Sequence, residues 1–167
     1  MKFASLFTVR KLNIYMMCTC FGLLAMAAYL QIVHEVEPCP LCIIQRILIA
    51  FLMLVFLIGA VFRNAPKRFT FIHSLVVILF SVLGLVAAGR QVWLQSVVVD
   101  EVPVCGPGLD FLFDKMSFTD ALAAILTGPG SCSEVEWTLF HLSIPMWTLL
   151  FFTLFAIVGI INLRRVA

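Results

Sequence analysis

Acidic residues are few and unevenly spread: none of the nine falls between residues 38 and 99, and none follows Glu136. Charged side chains of both signs make up 12% of the chain, against a hydrophobic share of 63%. Ordinary soluble domains are about half apolar and about a quarter charged. This chain therefore has too little polar surface to cover itself in water, and the bilayer is its expected solvent. Other absences narrow the function. The sequence has no basic nucleic-acid patch, no glycine-rich phosphate loop, no internal repeat and no low-complexity tract.

What is present is a set of four apolar runs, Leu12–Val33, Leu41–Phe62, Phe69–Ala88 and Ile144–Leu163. Each is long enough for a hydrocarbon core, which takes about 20 residues as a helix. Lipid offers no partner to unpaired backbone groups, so all four are predicted helical. Amphipathic helices of a soluble bundle would carry polar residues about every second turn, and these runs do not. Ala25-Met26-Ala27 resembles a signal-peptide cleavage site. The first run, however, is longer than the usual h-region of about 7–15 residues, so a retained span is expected. The predicted fold class is an all-α membrane protein, a four-helix bundle forming a single domain over residues 1–167.

Charge orients the spans. Lys2, Arg10 and Lys11 precede the first run, Arg63, Lys67 and Arg68 separate the second and third, and Arg164 and Arg165 follow the fourth. The positive-inside rule makes this side cytoplasmic, with both termini on it. All the acidic residues fall on the other side, and Trp93, Trp137 and Trp147 stand near that interface as aromatic anchors. Two outer segments result, about 34–40 and about 89–143. Within the longer one, Ser117-Phe118-Thr119-Asp120 matches a helix start. Phe118, Leu122, Ile125 and Leu126 then follow at helical spacing, and Gly128-Pro129-Gly130 ends the run. A short helix is expected there, either interfacial on the outer bilayer surface or folded back on the bundle.

Six cysteines are present. Cys18 and Cys20 fall within the first span and read as small apolar core residues. Cys39, Cys42, Cys105 and Cys132 all face outwards, and if the membrane is a bacterial inner membrane that compartment permits disulfides. Four cysteines allow three pairings; Cys39–Cys42 and Cys105–Cys132 are the expected pairs. Taken alone, Cys105–Cys132 reads as a structural staple worth roughly 3 kcal/mol in the loop-entropy model. A Cys39–Cys42 ring is too small to constrain much chain, and such spacing suits a dithiol that cycles or binds metal. Pro40 suits the first helical position, which puts Cys42 in the first turn, where free amides favour a thiolate. Arg46 lies four residues on, on the same face and about 6 Å deeper. A cation there suits a thiolate or the anionic form of an electron acceptor.

Several stretches together resemble the DsbB family of bacterial disulfide-forming membrane proteins. They are Glu37-Pro38-Cys39-Pro40-Leu41-Cys42 with Gln45-Arg46, Cys105-Gly106-Pro107-Gly108-Leu109-Asp110, Gly130-Ser131-Cys132-Ser133-Glu134-Val135-Glu136-Trp137, and Pro145-Met146-Trp147. The resemblance covers nearly the whole chain. It implies a quinone-dependent thiol oxidoreductase of the inner membrane. Cys105 and Cys132 would take electrons from a soluble periplasmic DsbA-type thiol oxidase. Cys39 and Cys42 would pass them to ubiquinone or menaquinone, with Arg46 beside the quinone. Gln91 stands where some members carry a histidine; it is carried as a quinone-contact position, with Arg90 as the alternative polar group. The residues alone leave other readings open: a quinone-reducing enzyme of the vitamin K epoxide reductase type, a Cys₄ zinc site, or a structural membrane protein with two disulfide staples.

Overall fold

The computed structural model describes residues 9–33, 40–62, 66–97, 138–139 and 142–165. Helix α1 runs Val9–Val33, α2 Pro40–Val61, α3 Lys67–Val97 and α4 Ile144–Arg164. Two short strands, β1 (Thr138–Leu139) and β2 (Leu142–Ser143), pair antiparallel immediately before α4, with Thr138 opposite Ser143. All four helices are long and apolar enough to cross a membrane. The all-α, four-span architecture is therefore observed, with the small β ladder as its one unanticipated addition.

Large apolar side chains point away from the bundle all round it. Ile32, Phe21 and Val86 are each more than 60% exposed, a surface that water would not tolerate and lipid matches. Inside, Phe56, Phe152, Phe155, Leu52, Val77 and Cys20 are fully buried. Phe56 and Phe155 bring α2 against α4 with ring centroids 5.7 Å apart. Helices in lipid associate by close packing and not by expulsion of water, so small residues matter at the contacts. Gly84 shows this. A β-carbon on it would run into the Phe152 ring, so only glycine lets α3 approach α4 there.

The helices form a row closed unevenly. The interface of α3 with α4 is the most extensive, followed by α1 with α2 and α2 with α3, whereas α1 and α4 meet only marginally.

Two boundaries differ from expectation. The third span was expected to stop at Ala88 with an outer segment from Gly89, but α3 continues as helix to Val97. The reason is that the pattern of burial does not break at Gly89: Ala87, Ala88, Gln91 and Leu94 are all buried at helical spacing. The polar residues that suggested a loop therefore sit on the end of a packed helix. At the opposite end, Arg10 was placed before the first span, yet it lies within α1. Its Nε donates to Ala60 O at 3.1 Å, occupying a carbonyl in the last turn of α2 that no amide of that helix can reach. The expected short helix after Ser117 and the segment about 34–39 lie outside the described residues.

Cys20 is buried in the core as expected, but Cys18 is exposed on the outer face of α1. Residues two positions apart do not share one face of a helix.

Candidate redox site

The α2 helix begins at Pro40, whose ring supplies helical φ and whose missing N–H has no partner to lose at that position. Cys42 consequently stands in the first turn, as the sequence predicted, where amide groups without intrahelical acceptors point towards the chain entering the helix. Its sulfur packs beside Leu41 and Leu94, both buried. Of the four outward cysteines only Cys42 is described; Cys39, Cys105 and Cys132 lie outside the described residues.

Beneath Cys42 lies a chain of polar side chains contributed by three helices. Gln91 of α3 donates through Nε2 to Cys42 Sγ at 3.1 Å. Gln45, one turn below Cys42, donates through Nε2 to Gln91 Oε1 at 2.8 Å. Thr148 of α4 lies 2.7 Å from Gln45 Oε1, which accepts from its hydroxyl. Both glutamines are 3% exposed. Their amide groups would be costly to bury unpaired, so the chain of bonds is what makes this floor tolerable.

Thr148 reaches Gln45 because of how α4 starts. Pro145 opens the helix, and the Ser143 hydroxyl does not cap it. That hydroxyl donates instead to Gln95 Oε1 at 2.9 Å, tying the β2 end to the extended tip of α3. The extra turns of α3 are thus what carry Gln91 and Gln95 to the site.

Arg46 faces another way. It was expected one turn below Cys42, and it is, but its guanidinium reaches α1, where Nη1 donates to Gln31 Oε1 at 2.6 Å and Nη2 to Ala27 O at 3.3 Å. This is a fixed cross-helix clamp, distinct from a side chain that merely extends to the interface. It places the cation on the α1 side of α2, while the glutamine floor occupies the α3 and α4 side. Arg90 is spent differently again: its guanidinium lies 5.2 Å from the centre of the Trp93 ring.

Gln31, Gln45 as a structural link, and Thr148 were not singled out from the sequence. The available signal was their polarity inside apolar runs, since buried polar residues in a span are rare and need partners. What no pattern supplies is which partner each one takes.

The family profile described as "Disulfide bond formation protein DsbB" matches residues 9–162. Disulfide bond formation protein B of Hahella chejuensis is 43% identical over 142 residues, covering 84% of this chain and 86% of that protein. The Marinobacter nauticus protein of the same name is 42% identical over 148 residues, covering 87% of each chain. Disulfide bond formation protein B 1 of Pseudomonas aeruginosa is 37% identical over 156 residues, covering 93% of this chain and 95% of its own. A multi-pass bundle with Cys42 at the mouth of its second span, matched along nearly its full length, belongs to the DsbB family of disulfide bond formation proteins.

Proposed function

We propose that this chain, acting as one unit over residues 1–167, reoxidises a soluble periplasmic DsbA-type thiol oxidase and passes the electrons to membrane quinone from the inner membrane. The observation that carries the reading is the Gln91 amide donated to Cys42 Sγ in the first turn of α2, with Arg46 one turn deeper. A sulfur that accepts an amide N–H in the first turn of a helix is suited to carry negative charge, which is the form that attacks and leaves in thiol–disulfide exchange.

In this reading a thiolate of the partner attacks the Cys105–Cys132 disulfide, and its second thiolate resolves the mixed disulfide. The partner leaves oxidised and Cys105 and Cys132 leave as a dithiol. That dithiol reduces a Cys39–Cys42 disulfide by the same exchange, so two electrons and two protons arrive on the short-loop pair. Ubiquinone or menaquinone, when bound, supplies the two-electron sink. The residues fit such a group. Arg46 offers a cation one turn deeper than Cys42, held on the α1 side, and Gln91 is the second candidate contact through its neighbour Cys42. The buried Gln45 and Gln91 close the floor of the site to water. The protein's task is to hold Cys42 Sγ in place and keep its charge stabilised during each exchange.

The test follows quinone absorbance in detergent with a reduced DsbA-type partner. Wild type consumes quinone, Cys42→Ser does not, and Cys105→Ser fails to oxidise the partner. Quinone consumption that survives Cys42→Ser removes the proposal.

A further inference from the structure

The side chains beneath Cys42 have a property that a fixed hydrogen-bonded floor would lack. Thr148 Oγ1 lies 2.7 Å from Gln45 Oε1 and 2.9 Å from Pro145 O. A hydroxyl has one proton, so it can serve only one of these acceptors at a time. Between Thr148 and Cys42 stand two side-chain amides, each with a donor and an acceptor end that exchange places by a half-turn.

Two complete arrangements follow. In the first, the Thr148 hydroxyl donates to Gln45, Gln45 donates to Gln91, and Gln91 donates an N–H to Cys42 Sγ, as observed. In the second, the hydroxyl donates to Pro145 O, and Gln45 donates to Thr148 Oγ1. Gln91 then donates to Gln45 and turns its carbonyl towards Cys42, where it can accept from an S–H. Each bond of the first arrangement has a counterpart in the second. No proton crosses from one residue to the next, because each amide keeps its own hydrogens.

We propose that Thr148, Gln45 and Gln91 form a reversible hydrogen-bond relay that presents an N–H to Cys42 when its sulfur is a thiolate or part of a disulfide, and a C=O when it is a thiol. Thr148 is the positioning residue that sets the direction. The assignment rests on the reading of Cys42 as a sulfur that changes redox state. It explains why a span buries two glutamines together: an amide adapts to either form of the sulfur, whereas a single fixed donor matches only one. The ionisable groups on the flanking elements do not take this role. Arg46 is tied to α1, Arg90 lies against Trp93, Tyr29 is exposed on α1, and α4 carries no ionisable side chain before Arg164.

The experiment measures alkylation of Cys42 by iodoacetamide in the reduced full-length protein in detergent, with Cys39→Ser leaving one thiol in the motif. Rates are taken near neutral pH and again at strongly alkaline pH, where every exposed thiol is ionised. Thr148→Val slows the neutral-pH reaction roughly threefold to tenfold, the range of one lost hydrogen bond, and leaves the alkaline rate unchanged. Gln91→Leu does the same, and Thr148→Ser restores the parent rate because the hydroxyl returns. The relay is overturned if Thr148→Val reacts like the parent near neutral pH. It is equally overturned if Val and Ser at position 148 slow the reaction alike, or if the alkaline rate falls in step, since each points to altered packing. Quinone turnover separates the two claims. Absent turnover with an intact alkylation response removes the electron-transfer reading and keeps the relay; normal turnover without that response removes the relay alone.

Discussion

The two ends of the bundle bury polar groups on different terms. At the Cys42 end, Gln45, Gln91 and Thr148 are joined in one chain, and Arg46 is paired with Gln31 and Ala27 O. At the other end, Asn13 and Asn162 are each 1% exposed, yet neither Oδ1 has a hydrogen-bond partner among the described residues. His73, also buried, lies 3.0 Å from Val55 O through Nε2 and packs against the rings of Phe56 and Phe69. Beside Cys42 the glutamines and Thr148 thus form a connected network, although Arg90 Nε next to it is also buried without a hydrogen-bond partner among the described residues. At the other end both asparagine oxygens are left unmatched. A network whose members satisfy one another fixes the position of each, while an unpartnered carbonyl oxygen only adds cost. Precision has been concentrated where a sulfur must be held.

The contrast can be broken most severely at the sulfur itself. Cys42→Ser is expected to reduce quinone-linked turnover to background while leaving thermal unfolding in detergent near wild type, because the hydroxyl still accepts from Gln91. Next in size is Arg46→Lys, which keeps the charge but loses the fork that spans Gln31 and Ala27 O. Turnover falls about tenfold, on the scale of one charge-assisted hydrogen bond, while Arg10→Lys at the opposite end leaves it unchanged. Steady-state rates with a saturating reduced partner check both.

Stability offers a sharper version. Gly59→Ala would put a β-carbon 2.5 Å from both Asn13 Nδ2 and His73 Nε2. Overpacking of this kind costs about 1–3 kcal/mol and appears as a lower unfolding temperature without loss of specific activity. Gln45→Leu, which leaves Gln91 and Thr148 without their shared partner, costs about 1 kcal/mol, as polar contacts in lipid tend to be modest. Asn13→Leu, removing an oxygen that has no partner among the described residues, costs less than Gln45→Leu. If Asn13→Leu proves as costly as Gln45→Leu in the same detergent, the two ends do not differ as described.

Much of this arrangement was legible in advance because lipid imposes strict terms on a chain. Run length and lack of charge identify spans, since nothing shorter crosses and nothing unpaired survives. Pro40 marks the start of α2 by the geometry of its own ring, so the position of Cys42 in the first turn followed. The end of α3 was misplaced because Arg90, Gln91 and Gln95 read as loop by polarity, and only packing against α2 and α4 reveals them as helix. Arg46 was correctly placed by depth but not by partner. Helical spacing gives the face of a residue on its own helix and says nothing about which neighbour stands opposite.

By itself, the sequence determined the four helices, the helical start at Pro40 and the location of the thiol motif, because these depend on local backbone geometry and on solvent. Tertiary structure decided that Gln45 meets Gln91 across 46 positions and Thr148 across 103. It also decided that Arg46 reaches across to α1. Those outcomes depend on how whole helices pack, down to a glycine such as Gly84 that admits a neighbouring ring. Contacts between distant segments are set by the shapes of both faces at once, which neither segment carries alone.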